Sequence, residues 1–133
     1  MSTNTYGMQI KLDAPHGPTM ARVREELAVE GFGVITEIDV RATFRQKLDL
    51  EFRPYVILGA CNPRLAHGAL STELEIGLLL PCNVIVYEDD DGGTVVSALD
   101  PERQLQLSAN PTLAPVAADV RSRMERVLER LVT

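Results

Sequence analysis

The apolar positions of this chain recur with two spacings, one typical of strands and one typical of helices. Residues 8–12, MQIKL, alternate between apolar and polar side chains, which predicts a strand with one solvent-exposed face. Residues 34–38, VITEI, predict a second strand, and residues 94–99, TVVSAL, a fifth. The third and fourth predicted strands, 55–61 (YVILGAC) and 83–88 (NVIVYE), are apolar at nearly every position. Such runs are typical of central strands that are buried on both faces.

Two longer segments carry apolar residues at helical spacing. Between Pro18 and Glu30 the apolar residues lie three and four positions apart, and Gly31 follows where a helix favours a left-handed C-terminal residue. From Pro115 the same spacing continues to Leu131. The pattern therefore predicts a helix near each end of the chain.

Three short helices are predicted from their first residues. Asp39, Asn62 and Asp100 each precede a helix-compatible segment and have side chains that accept hydrogen bonds from the first free N–H groups of a helix. Pro63 and Pro101 follow two of these caps, at the position where the missing N–H of proline costs nothing.

The element order predicts the fold class. A β-α-β-β-β-β-α chain with short inserted helices suits a two-layer α+β domain with a largely antiparallel five-stranded sheet and helices mainly on one face. Asp91-Gly92 is predicted to form the tight hairpin between the last two strands. Because helices on one face leave the other side of the two apolar strands uncovered, we expect a homodimer that buries this side.

Length, charge and cysteine content narrow the class of protein. A chain of 133 residues, 45% of them hydrophobic, is predicted to form a single domain, 1–133. The net charge of −6 repels a phosphate backbone, so nucleic acid is not an expected partner. The longest apolar run, IGLLLPCNVIVY, contains Pro81 and is too short to span a membrane. With no export signal and two cysteines, we expect reduced thiols and a cytoplasmic protein.

Candidate chemistry lies in two Cys-Asn motifs, GACNPRLAHGAL and LLPCNVIVYE. Cys61 ends the third predicted strand and Cys82 directly precedes the fourth, so antiparallel pairing would place both thiols at one end of the sheet. His67 follows one turn into the intervening helix. Together, Cys61, His67 and Cys82 are the candidates for an activated nucleophile or a three-ligand metal site. Against this, free cysteines commonly serve as small core residues, and no motif for a cofactor is evident.

Three further residues are candidate ligand contacts. Asn62 and Asn83 could hydrogen-bond a small molecule, although capping already accounts for Asn62. Gly59, inside an apolar strand, leaves room for the close approach of a helix or a ligand. His16 is predicted to lie in an exposed loop before the first helix, and DDDGG is predicted to be a solvated turn, because it lacks the spacing of a calcium loop.

Four segments also resemble a known family. Residues 31–48, 54–70, 75–88 and 98–101 are similar to the bacterial and archaeal family catalogued as domain of unknown function 302. The motif positions that carry the resemblance are Cys61, Asn62, Pro63, His67, Pro81, Cys82 and Asn83. The resemblance implies a compact α+β fold grouped with TATA-box-binding-protein-like domains and a dimer, and it implies no catalytic residues.

Three functions remain open from the sequence. The first is a homodimeric binding or accessory domain with a small-molecule cleft at the sheet end. The second is a thiol-dependent or metal-binding enzyme or redox protein that uses Cys61, Cys82 and His67. The third is a purely structural interaction module.

Overall fold

The computed structural model describes residues 1–133 and contains one open, antiparallel sheet. Its six strands lie in the order β1-β2-β6-β5-β4-β3. The strands are β1 (Ser2–Thr3), β2 (Gly7–Leu12), β3 (Gly33–Asp39), β4 (Tyr55–Cys61), β5 (Cys82–Glu88) and β6 (Thr94–Leu99). The α+β class is thus confirmed, but the count of five strands is wrong by one. The two residues of β1, which pair with β2, are too few to show a periodic pattern.

Five α-helices connect and cover the strands. They are α1 (His16–Val29), α2 (Val40–Leu48), α3 (Pro63–Thr72), α4 (Pro101–Ser108) and α5 (Ala114–Leu131). Two 3-10 helices, Leu74–Leu79 and Pro111–Leu113, were not predicted. None of the helices is both long and apolar enough to cross a membrane.

The main core lies between one face of the sheet and helices α1 and α5. It contains 17 buried residues, including Val23 and Leu27 of α1 and Met124 and Leu128 of α5. The strand residues in this core are Met8, Ile10, Val56, Leu58, Ala60, Val84, Val86, Val96 and Ala98. Because alternate residues of a strand face the same side, these residues form the face of the sheet that packs against α1 and α5.

The opposite side of the sheet, here called the open face, carries Ile38, Tyr55, Ile57, Ile85 and Tyr87. These residues alternate with the core positions, and Ile38 and Ile85 both lie directly opposite Ile57 on the neighbouring strands. The rings of Tyr55 and Tyr87 stack with centroids 5.3 Å apart. Neither α1 nor α5 covers this face, whereas α2 packs beside it and the ring of Phe44 contacts that of Phe52 with centroids 5.1 Å apart.

The predicted helix caps are present. Asn62 Oδ1 accepts a hydrogen bond from Leu65 N at 3.3 Å, and Asp100 Oδ1 accepts one from Glu102 N at 2.9 Å. Asp39 caps α2 in the same way. These three caps confirm the starts predicted for the short helices.

Two local predictions require correction. Helix α1 begins at His16 rather than Pro18, so His16 is not in an exposed loop. Its ring Nε2 lies 3.0 Å from the carbonyl oxygen of Val86.

The β5–β6 hairpin is also longer than the predicted two-residue turn. Of Asp91 and Gly92, only Gly92 has a positive φ, of 86°. Lys11 of β2 forms ion pairs with Asp89 and Asp91 of this loop, which hold the loop against β2.

Gly59 in β4 is closely covered by neighbouring side chains rather than open to a ligand. A Cβ atom at this position would overlap Oγ1 of Thr36 and lie 2.7 Å from Cγ of Pro81. The space above the glycine is therefore already filled by protein atoms, and the close approach is one of packing.

Replacement of Gly59 by alanine is expected to lower the free energy of unfolding by about 1–3 kcal/mol, because the added methyl group overpacks a filled site. Urea denaturation measures the effect. Gly68→Ala is the matched control, since nothing lies within 4 Å of a Cβ at Gly68 in α3. That variant should gain about 0.5–1 kcal/mol from the better helix propensity of alanine. Equal stability of Gly59→Ala and wild type would contradict the close contact.

Candidate functional site

The two cysteines lie at one end of the sheet, as predicted from antiparallel pairing. Cys61 is the last residue of β4, and Cys82 is the first residue of β5. Cys82 lies directly opposite Ala60, so the two cysteines are offset by one position rather than paired across the strands. Both are free thiols.

A cavity of about 290 Å³ opens at this end of the sheet, and we call it the β4 pocket. It lies between the end of β4, the inner side of α3 and the first half of α5, and Cys61 and Asn62 form part of its wall. No charged side chain lines it. Its size approaches the lower end of the range found for small-molecule sites, which are commonly concave and mostly apolar.

Small side chains on α3 and a bulge in β3 shape the β4 pocket. Ala66 and Ala69 lie three positions apart, so they share the side of α3 that faces the cavity. The pairing of β3 with β4 shifts register between Val34 and Thr36. The extra residue, Ile35, is thereby turned toward the cavity mouth, where it is 61% exposed.

Most of the apolar wall was missed by reasoning from the sequence. Val116 and Val120 of α5 contribute to it from more than fifty positions after Cys61 and Asn62. The closely spaced alanines of α3 were the one local signal of a gap beneath that helix. Residues from the C-terminal helix carry no sequence mark that distinguishes them from ordinary core positions.

Four of the six candidate residues, His67, Asn83, Cys82 and Gly59, do not line the β4 pocket. His67 is exposed and lies outside its wall. Asn83 is exposed and lies opposite Gly59. The candidates Cys61, His67 and Cys82 do not form one metal-binding group: no group of three or more His, Cys, Asp or Glu side chains is close enough to hold a metal ion. The reason is that His67 projects from a side of α3 that does not face the cysteines.

The Cys82 thiol is held in its neutral form. Burial against the main core raises its pKa from the ordinary value of 9.0 to about 11, and the neighbouring Cys61 adds a smaller upward contribution. A low dielectric surrounding disfavours the charged thiolate. Cys82 is therefore a poor nucleophile near neutral pH.

An ion-pair cluster fixes α1 against α5 beside the β4 pocket. The buried carboxylate of Glu30 accepts hydrogen bonds from Arg126 at 2.9 Å and Arg130 at 2.8 Å. The hydrogen bond from Arg126, followed by that from Arg130, outweighs burial and lowers the pKa of Glu30. The cluster thus holds the end of α1 next to Phe32, which belongs to the pocket wall.

This geometry defines a small α+β protein whose antiparallel open sheet has an apolar, ligand-sized pocket at one end. The model of the family described as "Domain of unknown function DUF302" matches residues 8–131. The chain belongs to that family, which confirms the resemblance seen in its Cys-Asn motifs.

A solved structure has the same fold. The crystal structure of the uncharacterized conserved protein DUF302 from Bacillus stearothermophilus is similar to this chain with a TM-score of 0.88 and 31% sequence identity. The similarity covers 96% of this chain and 99% of that chain. No curated protein matches the chain.

Proposed function

We propose that residues 1–133 form one homodimeric binding domain that holds a small, largely apolar molecule in the β4 pocket. The observation that carries this proposal is the cavity of about 290 Å³ whose wall contains Cys61 and Asn62. A compact core ordinarily leaves few voids larger than a water molecule. A cavity of this size at a strand end, without charged lining, is therefore suited to an uncharged organic ligand rather than to an ion.

The polar part of the wall supports an oriented ligand. The oxygen of the Asn62 side chain caps α3, which leaves the NH₂ group of the same side chain free to donate a hydrogen bond. A ligand that places an acceptor atom near Asn62 and apolar atoms near Ala66 and Val116 would satisfy both kinds of surface.

Binding of the fluorescent probe N-phenyl-1-naphthylamine tests the proposal. The wild-type protein should enhance the emission of the probe, and Ala66→Phe should weaken the affinity about tenfold or more, because the phenyl ring occupies the cavity. Ser71→Phe places the same ring on the exposed side of α3 and should leave the affinity unchanged. Absence of binding to the wild type, or equal binding by the two variants, would overturn the proposal.

The homodimer is supported by apolar side chains at the margin of the open face. Ile38, Leu48, Leu50 and Phe52 are each between 40% and 60% exposed, and we call them the apolar margin. Phe52 contacts Tyr55 with ring centroids 6.2 Å apart, so the margin continues onto the open face. A continuous exposed apolar surface is typical of an interaction site, and a second copy of the chain offers the same surface for a two-fold contact.

Thiol chemistry is the second candidate function, favoured by the position of Cys61 in the wall of the β4 pocket. A thiol there would meet any molecule that enters the cavity. Cys82 does not line the cavity, and its raised pKa opposes a mechanism in which both thiols react.

The fold group and the cellular location belong to the same proposal. One open antiparallel sheet with α1 and α5 packed on one face supports the TATA-box-binding-protein-like classification. The two unpaired cysteines support a cytoplasmic location, because thiols stay reduced there.

A further inference from the structure

A second apolar cavity adjoins the β4 pocket. It has a volume of about 60 Å³ and lies between the 3-10 helix Leu74–Leu79, α4 and α5. Four residues line both cavities: Ala69, Leu80, Val116 and Val120. The two cavities are therefore neighbours that share part of their walls.

The cover over the two cavities is thinly packed. Helix α3 and the 3-10 helix after it each bury a single residue, Ala69 and Ile76. These two residues form, with Leu113, a small cluster separate from the 17-residue main core. Partly buried leucines of the cover, Leu70, Leu79 and Leu80, pack against this cluster, and the two cavities remain between the cover and α5. We call the two cavities together the slot.

The slot is uncharged along its whole length. Neither cavity is lined by a charged side chain, and the Gln104 side chain in the second cavity already donates to the carbonyl oxygen of Leu79. Asn62 is part of the wall at the other end, and its NH₂ group has no hydrogen-bond partner within the protein. The slot thus has one polar end and a long apolar remainder.

We infer that the ligand is a linear hydrocarbon chain of the alkyl or acyl type, with its head group near Asn62 and its tail passing Val116 into the second cavity. This inference rests on the proposed binding function of the β4 pocket. A compact ring system fills only the first cavity, whereas a flexible chain uses both. The second cavity adds about 60 Å³ to the 290 Å³ of the first, and a flexible chain can use this added length.

Displacement of N-phenyl-1-naphthylamine by 1-alkanols from hexanol to dodecanol tests the inference. Affinity should rise about fourfold with each added methylene until the slot is full. Ala117→Leu fills the second cavity and should weaken binding of the longest alcohols about tenfold while leaving hexanol unchanged. Leu105→Phe fills the same cavity from α4 and should weaken binding of the longest alcohols in the same way. Agreement of the two variants would show that the effect does not come from a folding defect in one of them. Ala118→Leu, at the exposed neighbouring position, is the matched control and should behave as wild type.

The outcomes separate the two proposals. If the probe binds but alcohols of all lengths displace it equally, or if the cavity-filling variants bind long alcohols as Ala118→Leu does, the chain-shaped ligand is wrong and the β4 pocket stands as a site for compact molecules. If the probe does not bind the wild type, both proposals fail.

Discussion

Cys82 is expected to react with iodoacetamide on the order of a hundred times more slowly than a model thiol at pH 8, while Cys61 reacts readily. The pKa of Cys82 is raised from 9.0 to about 11. Well below both values, a rise of two units lowers the thiolate fraction about a hundredfold, and the thiolate is the reacting species. Burial also restricts access to Cys82, whereas Cys61 lines an open cavity. Peptide mass spectrometry of time points between pH 7 and 11.5 measures both rates.

Cys61→Ser and an unfolded sample provide the controls. Since burial is the largest cause of the raised pKa and the Cys61 thiol a smaller one, Cys61→Ser should lower the titration midpoint of Cys82 only slightly. In guanidinium chloride both cysteines should react at the same rate, because the buried surroundings of Cys82 are lost. A midpoint for Cys82 below the ordinary thiol value in the folded protein would contradict its burial and favour the thiol enzyme.

The strands could be predicted closely because each carries its own hydrophobic pattern. The predicted strands 55–61 and 94–99 have the bounds seen for β4 and β6, and the prediction for β5 misses only Cys82. The bulge at Ile35 could not be predicted, because a bulge is a property of two paired strands rather than of one segment. The 3-10 helices were missed because they are too short to establish a helical period.

Only the parts of the candidate site that are adjacent in the chain could be predicted from the sequence. Cys61 and Asn62 were identified because a strand end and a helix cap are adjacent in the chain. His67 lies outside the pocket wall because Leu65, Ala66, Ala69 and Leu70 form the side of α3 that lines it. The distant wall residue Val116 becomes part of the site only when α5 folds back over the sheet.

Ile38→Lys is expected to weaken self-association about a hundredfold or more. In a two-fold interface the substitution occurs once in each copy of the chain. If each buried ammonium group lowers the dimerisation affinity about tenfold, the two together lower it about a hundredfold. Ile38 lies opposite Ile57 on the open face, and burying an unpaired lysine there carries a desolvation cost. Sedimentation velocity between 1 and 100 µM, concentrations chosen to span a micromolar equilibrium, should show a dimer for the wild type and a monomer for the variant.

Val29→Lys is the matched control for this prediction. Val29 is also an exposed aliphatic residue, 67% exposed at the end of α1, but α1 covers the other side of the sheet. The control should therefore remain a dimer, and both variants should keep the wild-type circular dichroism spectrum. A wild-type protein that sediments as a monomer would overturn the homodimer, and dissociation by Val29→Lys but not by Ile38→Lys would move the interface to the helical side. Because each of these results assigns the apolar margin a different role, the experiment decides whether the open face is an interface or simply an exposed sheet.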